Sequence, residues 1–440
     1  MNIDKIYKDK SLNPWVFVTY NCSCKCPYCM IPDKGCRPED KTMLEYTFRK
    51  MCEITEKLFQ NGTYNQAHFR LSGGEPFLAF SNYKDIVNEY QKKYPGKMTF
   101  GILTNLTVFD DKIADWMEEN HIGMQISLDD LLNGKPLADG TSSSEVVLKN
   151  IQKVQSRNIN FSFNTVLDID RTKDLTGLAN FVSSFKNIEW GLNASYTEND
   201  PNKIQEVIDI FDKCILQLVR RGFDINNKLR FYNTTVGQGR GGCSAGFNSF
   251  AIGTNLEVWP CQSMCDRDLI CYFDENIKTT LMTHTYNEYF RKRRMRPECS
   301  DCSILGLCRG GCRATHYNDE INDVVCQIRR NIIEKLHSGY YYKNQQRQCK
   351  HQNNNQNCTF IECNCKQNEC IACNDDSNKL CIFATEDNGL DKIIDDFVSS
   401  NEEKIEVKTP GLDCNTNELN VAESKKRFNE HLNDVIDNYY

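Results

Sequence analysis

The sequence predicts an α/β fold in which strands alternate with helices, followed by a cysteine-rich domain and an acidic tail. Short apolar runs alternate with amphipathic stretches through the first half of the chain, and cysteines and glycines replace this alternation further on. Of the 440 residues, 40% are hydrophobic and 26% are charged, as in ordinary folded proteins. Because such a composition can bury a core without cross-links, we expect the 24 cysteines to serve chemistry.

Six runs of strand character are each followed by a helical pattern. The strands are predicted at residues 15–20, 68–72, 98–104, 123–128, 161–167 and 188–193. The helices are predicted at residues 44–59, 83–93, 111–119, 144–157, 173–184 and 203–221. This order predicts parallel β/α units in a partial (β/α)6 TIM-like barrel, where ligands bind at the carboxyl ends of the strands.

Composition divides the chain into three predicted domains: the barrel at 1–235, a cysteine-rich domain at 236–340 and an extension at 341–440. The extension holds 18 acidic and 11 basic residues, which accounts for the net charge of −7. Six of its cysteines fall within residues 358–381. A solvated extension, a further metal site and a substrate segment in cis are all compatible with this composition.

The charge and hydropathy patterns exclude several classes of protein. A net charge of −7 argues against a general nucleic-acid binder. No run approaches the ~18 apolar residues of a membrane helix, and the N-terminus lacks the apolar core of a signal peptide. These absences predict a cytoplasmic protein without a membrane anchor, and in that compartment clustered cysteines bind metals more often than they form disulfides.

The first cysteine group follows the first predicted strand. Cys22, Cys26 and Cys29 have Cys-x3-Cys-x2-Cys spacing. Three thiolates on one loop can hold three irons of a cubane cluster and leave the fourth iron open to a ligand. A rival interpretation makes Cys26 and Cys29 a glutaredoxin-type redox pair. Cys24 falls outside the triplet spacing and is predicted to be a spectator.

Small, polar or acidic residues follow the next three predicted strands. They are Gly73, Gly74, Glu75, Asn105, Ser127 and Asp129. The two glycines allow the backbone to approach a ligand, the glutamate suits an amino group, and the other side chains suit a ribose. Taken singly, each motif also fits an ordinary turn at the end of a strand.

A second cysteine group lies in the predicted cysteine-rich domain. Its members are Cys243, Cys261, Cys299, Cys302, Cys308, Cys312 and Cys326. Four of them follow Cys-x2-Cys-x5-Cys-x3-Cys spacing, which fits a structural zinc site as well as iron–sulfur ligation. The spacing alone leaves both metals open.

The strand-end motifs together resemble the radical S-adenosylmethionine (SAM) superfamily, in order and spacing, over roughly residues 12–230. The resemblance implies a [4Fe-4S] cluster on Cys22, Cys26 and Cys29 whose open iron chelates SAM. The implied SAM contacts are Gly73, Gly74 and Glu75 to the methionyl amine, Asn105, Ser127 and Asp129 to the ribose, and Tyr28 to the adenine. Many relatives carry an arginine some ten residues beyond the Ser-Leu-Asp motif. This chain has Asn-Gly-Lys-Pro-Leu at 133–137, so the carboxylate contact is unassigned.

The second cysteine group resembles the SPASM extension of radical SAM peptide-modifying enzymes. The resemblance rests on Cys243-Ser-Ala-Gly-Phe, Glu257-Val-Trp-Pro-Cys261 and Leu307-Cys308-Arg-Gly-Gly-Cys312. It implies two auxiliary [4Fe-4S] clusters, and so three in all. The implied ligands are Cys299, Cys302, Cys308 and Cys326 for the distal cluster, and Cys243, Cys261 and Cys312 for the proximal one. The fourth proximal position is left to Cys265, to Cys271 or to substrate.

These resemblances imply a radical SAM/SPASM enzyme that modifies a ribosomally made peptide. A thioether cross-link is the first choice of product, and other carbon-centred cross-links and epimerisation stay open. The implied partners are the peptide and a reductant such as flavodoxin or ferredoxin. Only about ten residues precede the first strand, too few for a leader-binding module, so either a separate leader-binding protein is expected or none is needed. Sulfatase maturation is the runner-up, weakened because Gln262 stands where that branch carries an aspartate. A non-enzymatic iron–sulfur or zinc binding protein is the hypothesis from another class.

Overall fold

The computed structural model describes most of the first 344 residues. The described residues are 10–29, 31, 42–185, 187–195, 200–231, 245–246, 249–265, 269–285, 299, 301–308 and 323–344. Cys243, Cys312 and the extension from residue 345 lie outside them, so the predictions made for these residues have no structural counterpart. Within the described part, no helix has the length and apolar character needed to cross a membrane.

One mixed sheet forms the centre of the molecule. Its strands are β1 (Ser11–Leu12), β2 (Trp15–Thr19), β3 (Gln66–Gly73), β4 (Met98–Thr104), β5 (Gly123–Ser127), β6 (Phe161–Leu167), β7 (Trp190–Ala194), β8 (Leu229–Phe231), β9 (Ala251–Ile252), β10 (Glu257–Trp259) and β11 (Cys271–Tyr272). The order along the sheet is β11-β10-β9-β2-β3-β4-β5-β6-β7-β8, with β1 beside β3. From β2 to β8, each strand is parallel to the next.

In the described part of the chain, six helices connect the parallel strands and four more follow β11. They are α1 (Glu45–Gln60), α2 (Phe80–Lys93), α3 (Asp111–Glu119), α4 (Ser144–Gln155), α5 (Thr176–Ser183), α6 (Ile204–Arg220), α7 (Ile277–Thr285), α8 (Leu305–Cys308), α9 (Asp323–His337) and α10 (Tyr340–Asn344). The predicted α/β class, with parallel β/α units, is confirmed. Helix α5 begins at Thr176, later than predicted, after a local turn in which Asp174 accepts hydrogen bonds from the backbone and hydroxyl of Thr176.

Alternation of side chains along the strands decides which face is the core. On β3, Ala67, Phe69 and Leu71 belong to the buried core under the helices. Because successive side chains of a strand point to opposite faces, His68 and Arg70 point to the inner face of the barrel. The helix-covered face is therefore apolar, while the inner face is available for polar groups.

A short meander extends the sheet beyond the first barrel strand. Strand β9 pairs in parallel with β2, with Trp15 opposite Ala251 and Val16 opposite Ile252. Strands β10 and β11 follow by antiparallel pairing. Phe17, Ala251, Trp259 and Cys265 form a small apolar cluster beside this junction. The meander therefore fills the second edge of β2, the strand that leads into the first cysteine group.

Candidate active site

The first cysteine group lies in the loop that follows β2. Cys22, Cys26 and Cys29 are all half-buried. The Cys24 backbone N–H donates to Cys22 Sγ at 3.4 Å, and the Cys29 N–H donates to the Cys26 carbonyl at 3.2 Å. Both bonds curl the loop so that the three thiols stay on one short segment. Cys24 itself is buried.

A second loop, residues 134–143, holds the cysteine loop in place. The Lys25 N–H donates to the Pro136 carbonyl at 2.8 Å, and the Ala138 N–H donates to the Ser23 carbonyl at 3.0 Å. Cys24 and Leu137 form an antiparallel bridge between these bonds. Backbone pairing therefore fixes the cysteine loop against a segment that is distant in sequence.

The electrostatic surroundings favour a thiolate at Cys26. A hydrogen bond from the Cys24 thiol and the positive charge of Lys135 lower the pKa of Cys26 to about 6, although burial acts in the opposite direction. The pKa of Cys24 is raised, because its thiol donates to the sulfurs of Cys22 and Cys26. Since the thiolate is the form that binds metal, Cys26 is prepared as a ligand and Cys24 remains a thiol donor.

The two glycines after β3 are required by the crowding of the backbone. Gly73 has φ +131°, and a Cβ atom there would lie 2.0 Å from the Thr19 carbonyl oxygen. A Cβ atom on Gly74 would lie 2.0 Å from the Asn21 carbonyl oxygen. Only glycine permits such close approach. The glycines therefore bring β3 against the start of the cysteine loop, a packing role that sequence reasoning did not anticipate.

Glu75 is fully buried and joins the ends of two strands. Its carboxylate accepts hydrogen bonds from the Thr104 hydroxyl at 2.7 Å, the Asn105 N–H at 2.8 Å and the Phe77 N–H at 3.3 Å. Burial raises the pKa of Glu75 to about 8, and the three hydrogen bonds oppose this shift only in part. Glu75, predicted to contact the SAM amine, therefore also has a structural role, because it links the ends of β3 and β4.

We expect the raised pKa of Glu75 to make the free energy of unfolding depend on pH. In the unfolded chain the carboxyl ionises near its ordinary pKa, about 4.3, so between that pH and about 8 the folded state holds a proton that the unfolded state has lost. Stability therefore falls as pH rises through this window, by roughly 3–5 kcal/mol for this group at most. Urea unfolding at pH 5 and pH 8.5 should show this loss for the wild type relative to Glu75→Gln. The surface variant Glu89→Gln should keep the wild-type slope, and equal slopes for the wild type and Glu75→Gln would contradict the assignment.

Asn105 and Ser127 follow β4 and end β5 at the same edge of the sheet. The Asn105 side-chain amide donates to Cys22 Sγ at 3.5 Å and to the Ser23 hydroxyl at 3.2 Å. Ser127 is half-buried and pairs in register with Asn164 of β6. Asn105 therefore contacts the cysteine loop directly.

Asp129 lies in a buried network with Tyr28 and Lys135. Tyr28 and Lys135 both donate to Asp129 Oδ2, and the Lys135 ammonium also donates to the Tyr28 hydroxyl at 2.7 Å. The Val166 N–H donates to Asp129 Oδ1 at 3.0 Å. Both charged side chains of the Lys135–Asp129 ion pair are less than a tenth exposed. Tyr28 and Asp129, predicted to contact adenine and ribose, are thus hydrogen-bonded to each other, and Lys135 donates to both.

Sequence reasoning missed Lys135. Its backbone is fixed by Ser143, whose hydroxyl accepts from the Lys135 N–H at 2.9 Å. Gly134 precedes it with φ +50°, a left-handed conformation that favours glycine. The available signal was that Lys135 is the only basic residue between Leu128 and Ser143. In many relatives, this segment beyond the Ser-Leu-Asp motif carries an arginine.

Comparison with known families identifies a domain in this part of the chain. The family described as the Radical SAM superfamily matches residues 16–182, the stretch that carries the cysteine triplet and all the strand-end motifs. Residues 16–182 are a radical SAM domain. The chain is 28% identical over 220 residues to an uncharacterized protein of Methanocaldococcus jannaschii, covering 48% of this chain and 72% of that protein.

Two relatives of the radical SAM domain have named activities. The chain is 21% identical over 318 residues to the radical SAM cyclopropyl synthase TigE of Paramaledivibacter caminithermalis, covering 67% of this chain and 66% of TigE. It is 23% identical over 349 residues to the cysteine-type anaerobic sulfatase-maturating enzyme of Clostridium perfringens, covering 71% of this chain and 92% of that enzyme. The chain therefore contains a radical SAM domain and has relatives that are named as enzymes.

Two solved structures share the fold. The structure of anSMEcpe with bound AdoMet and the Cp18Cys peptide has a TM-score of 0.60 and 18% identity, covering 76% of this chain and 99% of that one. Streptococcus suis SuiB bound to its precursor peptide SuiA has a TM-score of 0.52 and 14% identity, covering 74% and 78%. At these identities, the likeness establishes the fold.

The second cysteine group, which lies beyond the radical SAM domain, is described in part by the structure. Cys299, Cys302, Cys308 and Cys326 are half-buried. Burial raises the pKa of Cys326, with smaller contributions from Cys308, Cys299 and Cys302, so the four thiols lie near one another. Cys261 follows β10, and Cys265 is buried in the apolar cluster beside β2. The four predicted distal ligands therefore share one neighbourhood.

Proposed function

We propose that this radical SAM enzyme uses a [4Fe-4S] cluster on Cys22, Cys26 and Cys29 to modify a peptide. The observation that carries the proposal is the meeting of the cysteine loop with the strand-end side chains at one edge of the sheet. Asn105 reaches the loop directly, and Lys135 reaches it through the paired segment 134–143. Open α/β folds place ligands at this edge.

The donor set fits a cluster. Among the residues that the structure describes, no three cysteine, histidine or carboxylate side chains surround a single-ion site. A cubane attaches each thiolate to a different iron, so it does not need three sulfurs around one point. When bound and reduced, such a cluster supplies the electron that cleaves SAM into methionine and a hydrogen-abstracting 5′-deoxyadenosyl radical.

The residues of the chain would bind and orient SAM. Glu75 would face the methionyl amine, Asn105, Ser127 and Asp129 the ribose, and Tyr28 the adenine. We assign the SAM carboxylate to Lys135, because an ammonium has three donors and, among the described residues, Asp129 and Tyr28 take two of them. Lys135 would then take the place of the arginine that is absent from 133–137 and provide the contact to the SAM carboxylate.

The auxiliary clusters remain part of the proposal. Two further [4Fe-4S] clusters would lie in a SPASM domain at 236–340, beyond the barrel at 1–235. The proximity of the four distal cysteines supports the distal cluster. Arg330 lies beside Cys302 and Cys326, whose thiolates raise its pKa, so a positive charge is available to offset a thiolate-rich site.

A peptide substrate is supported by the relatives. The SuiB structure holds a precursor peptide, and the anSMEcpe structure holds the Cp18Cys peptide. A thioether cross-link stays the first choice of product, with sulfatase-type oxidation as the alternative favoured by the Clostridium perfringens relative. The radical SAM domain decides against a non-enzymatic metal-binding protein. The reductant and the leader-binding partner stay predictions.

The test is anaerobic turnover of the full chain with SAM, a reductant and cysteine-containing peptides encoded near its gene. We expect 5′-deoxyadenosine formation and a peptide product that has lost two hydrogens, which mass spectrometry detects. Formation of 5′-deoxyadenosine without any peptide product would leave the cofactor chemistry standing and contradict the proposed substrate class. Absence of both would contradict the whole proposal.

A further inference from the structure

The barrel strands carry an unbalanced set of charges. Strands β2 to β8 contain no aspartate or glutamate. Their ionisable side chains are His68 and Arg70 on β3 and Arg230 on β8. The strands themselves therefore contribute positive charge to the barrel and no negative charge.

All three basic side chains point to the inner face. Ala67, Phe69 and Leu71 alternate with His68 and Arg70 and belong to the core on the other face. Leu229 and Phe231 likewise flank Arg230 and lie in that core. Arg230 is close enough to Arg70 for its charge to act on it. The described barrel strands thus direct basic side chains, and no acidic ones, to the inner face.

Arg70 is held rigidly by neutral partners. Its Nη2 donates to the Asn13 carbonyl at 2.7 Å and to the Ser249 hydroxyl at 3.4 Å. The guanidinium carbon lies 4.4 Å from the centre of the Trp15 ring. The Arg70 Nε is buried and has no acceptor among the described residues. The guanidinium is therefore oriented, with donors left over.

Arg70 differs from the other inward-facing arginine in its pairing. Arg230 forms an ion pair with Glu189, whereas Arg70 forms none with the carboxylates that the structure describes. Burial and the charge of Arg230 lower the pKa of Arg70 to about 10, so it remains a cation at neutral pH. A partly buried cation without a counter-ion is costly, and an incoming anion relieves that cost.

We propose that Arg70 binds a carboxylate of the substrate peptide inside the barrel. This inference rests on the proposed peptide-modifying function and adds the class of peptide. Arg70 lies three residues before Gly73, which places it about 10 Å below the edge where SAM would bind. An extended peptide spans that distance in about three residues. The acidic residue would therefore lie about three residues from the modified one.

The test is selection from peptide libraries by the reconstituted full chain in the presence of SAM. One library of C-terminally amidated nonapeptides has a fixed central cysteine and random flanking residues. A second has a free C-terminal carboxylate and lacks aspartate and glutamate, so it separates side-chain from terminal carboxylates. Mass spectrometry of the bound fraction gives the enrichment of aspartate and glutamate over asparagine and glutamine, or of free over amidated termini.

We expect the wild type to enrich carboxylate-bearing peptides about tenfold in one library. Arg70→Gln should lose this preference, Arg70→Lys should keep part of it, and the surface variant Arg49→Gln should match the wild type. No preference in the wild type, or a preference that survives in Arg70→Gln, would overturn the proposal. Selection of acidic peptides that are never modified would instead contradict the proposed function alone, and modification regardless of acidity would contradict this inference alone.

Discussion

Replacing Cys22, Cys26 and Cys29 together by alanine should abolish 5′-deoxyadenosine formation. The reason is that the three thiols on the loop after β2 are the proposed ligands of the cluster that cleaves SAM. With three clusters, reconstituted wild type should hold about twelve irons, and the triple variant about eight. Iron and sulfide analysis and chromatographic detection of 5′-deoxyadenosine measure the two effects independently.

Cys24→Ala is the matched control in the same loop. Cys24 is buried and lies outside the triplet, and its replacement keeps all three proposed ligands, so the iron content should stay at the wild-type value. A triple variant that cleaves SAM at the wild-type rate would show that the catalytic cysteines are elsewhere. Zinc in place of iron at the second cysteine group would contradict the auxiliary clusters and leave this prediction intact.

Lys135→Met should destabilise the protein by about 3–5 kcal/mol, because it leaves the buried Asp129 carboxylate without its cation. Burial disfavours the Lys135 charge, but the negative charges of Asp129 and Cys26 outweigh it and raise the pKa of Lys135. The same variant should weaken SAM binding at least about tenfold, since a charge-assisted contact is lost. Urea unfolding and equilibrium SAM titration measure these two effects.

A double-mutant cycle separates the ion pair from general damage. Asp129→Asn with Lys135→Met should be more stable than Lys135→Met alone, because no unpaired carboxylate remains. Lys173→Met, which removes an exposed ion pair with Glu206, should cost less than about 1 kcal/mol. If Lys135→Met is as stable as the wild type, the buried pair does not have the role assigned to it.

The sequence predicts the barrel well because its signals are local. Each β/α unit is encoded by a run of alternating or apolar residues and an adjacent helical period, as in 98–104 followed by 111–119. Motif residues at strand ends, such as Asn105, come to one edge because parallel strands share their direction. For the same reason, the order of the motifs along the chain predicts which strand ends lie near the cysteine loop.

Contacts between distant segments could not be predicted from local pattern. Lys135 meets Tyr28 only because the loop at 134–143 pairs with the cysteine loop. That Arg70 forms no ion pair with a carboxylate of the described residues becomes visible only when the neighbouring strands are in place. The requirement for glycine at Gly74 likewise depends on the carbonyl of Asn21, which lies on another segment. Local periodicity carries no information about such pairings.

The parallel pairing of β2 with β9 bears on how the protein is made. Strand β2 leaves the ribosome early, yet its second neighbour is synthesised only when Ala251 and Ile252 have been added. Pairings this distant in sequence form slowly, and until then β2 has an open edge that another chain can occupy. Iron delivered before β9 arrives would meet a cysteine loop whose supporting strand is only half paired. Slow or paused synthesis between these strands should therefore lower the yield of cluster-loaded protein more than the yield of chain.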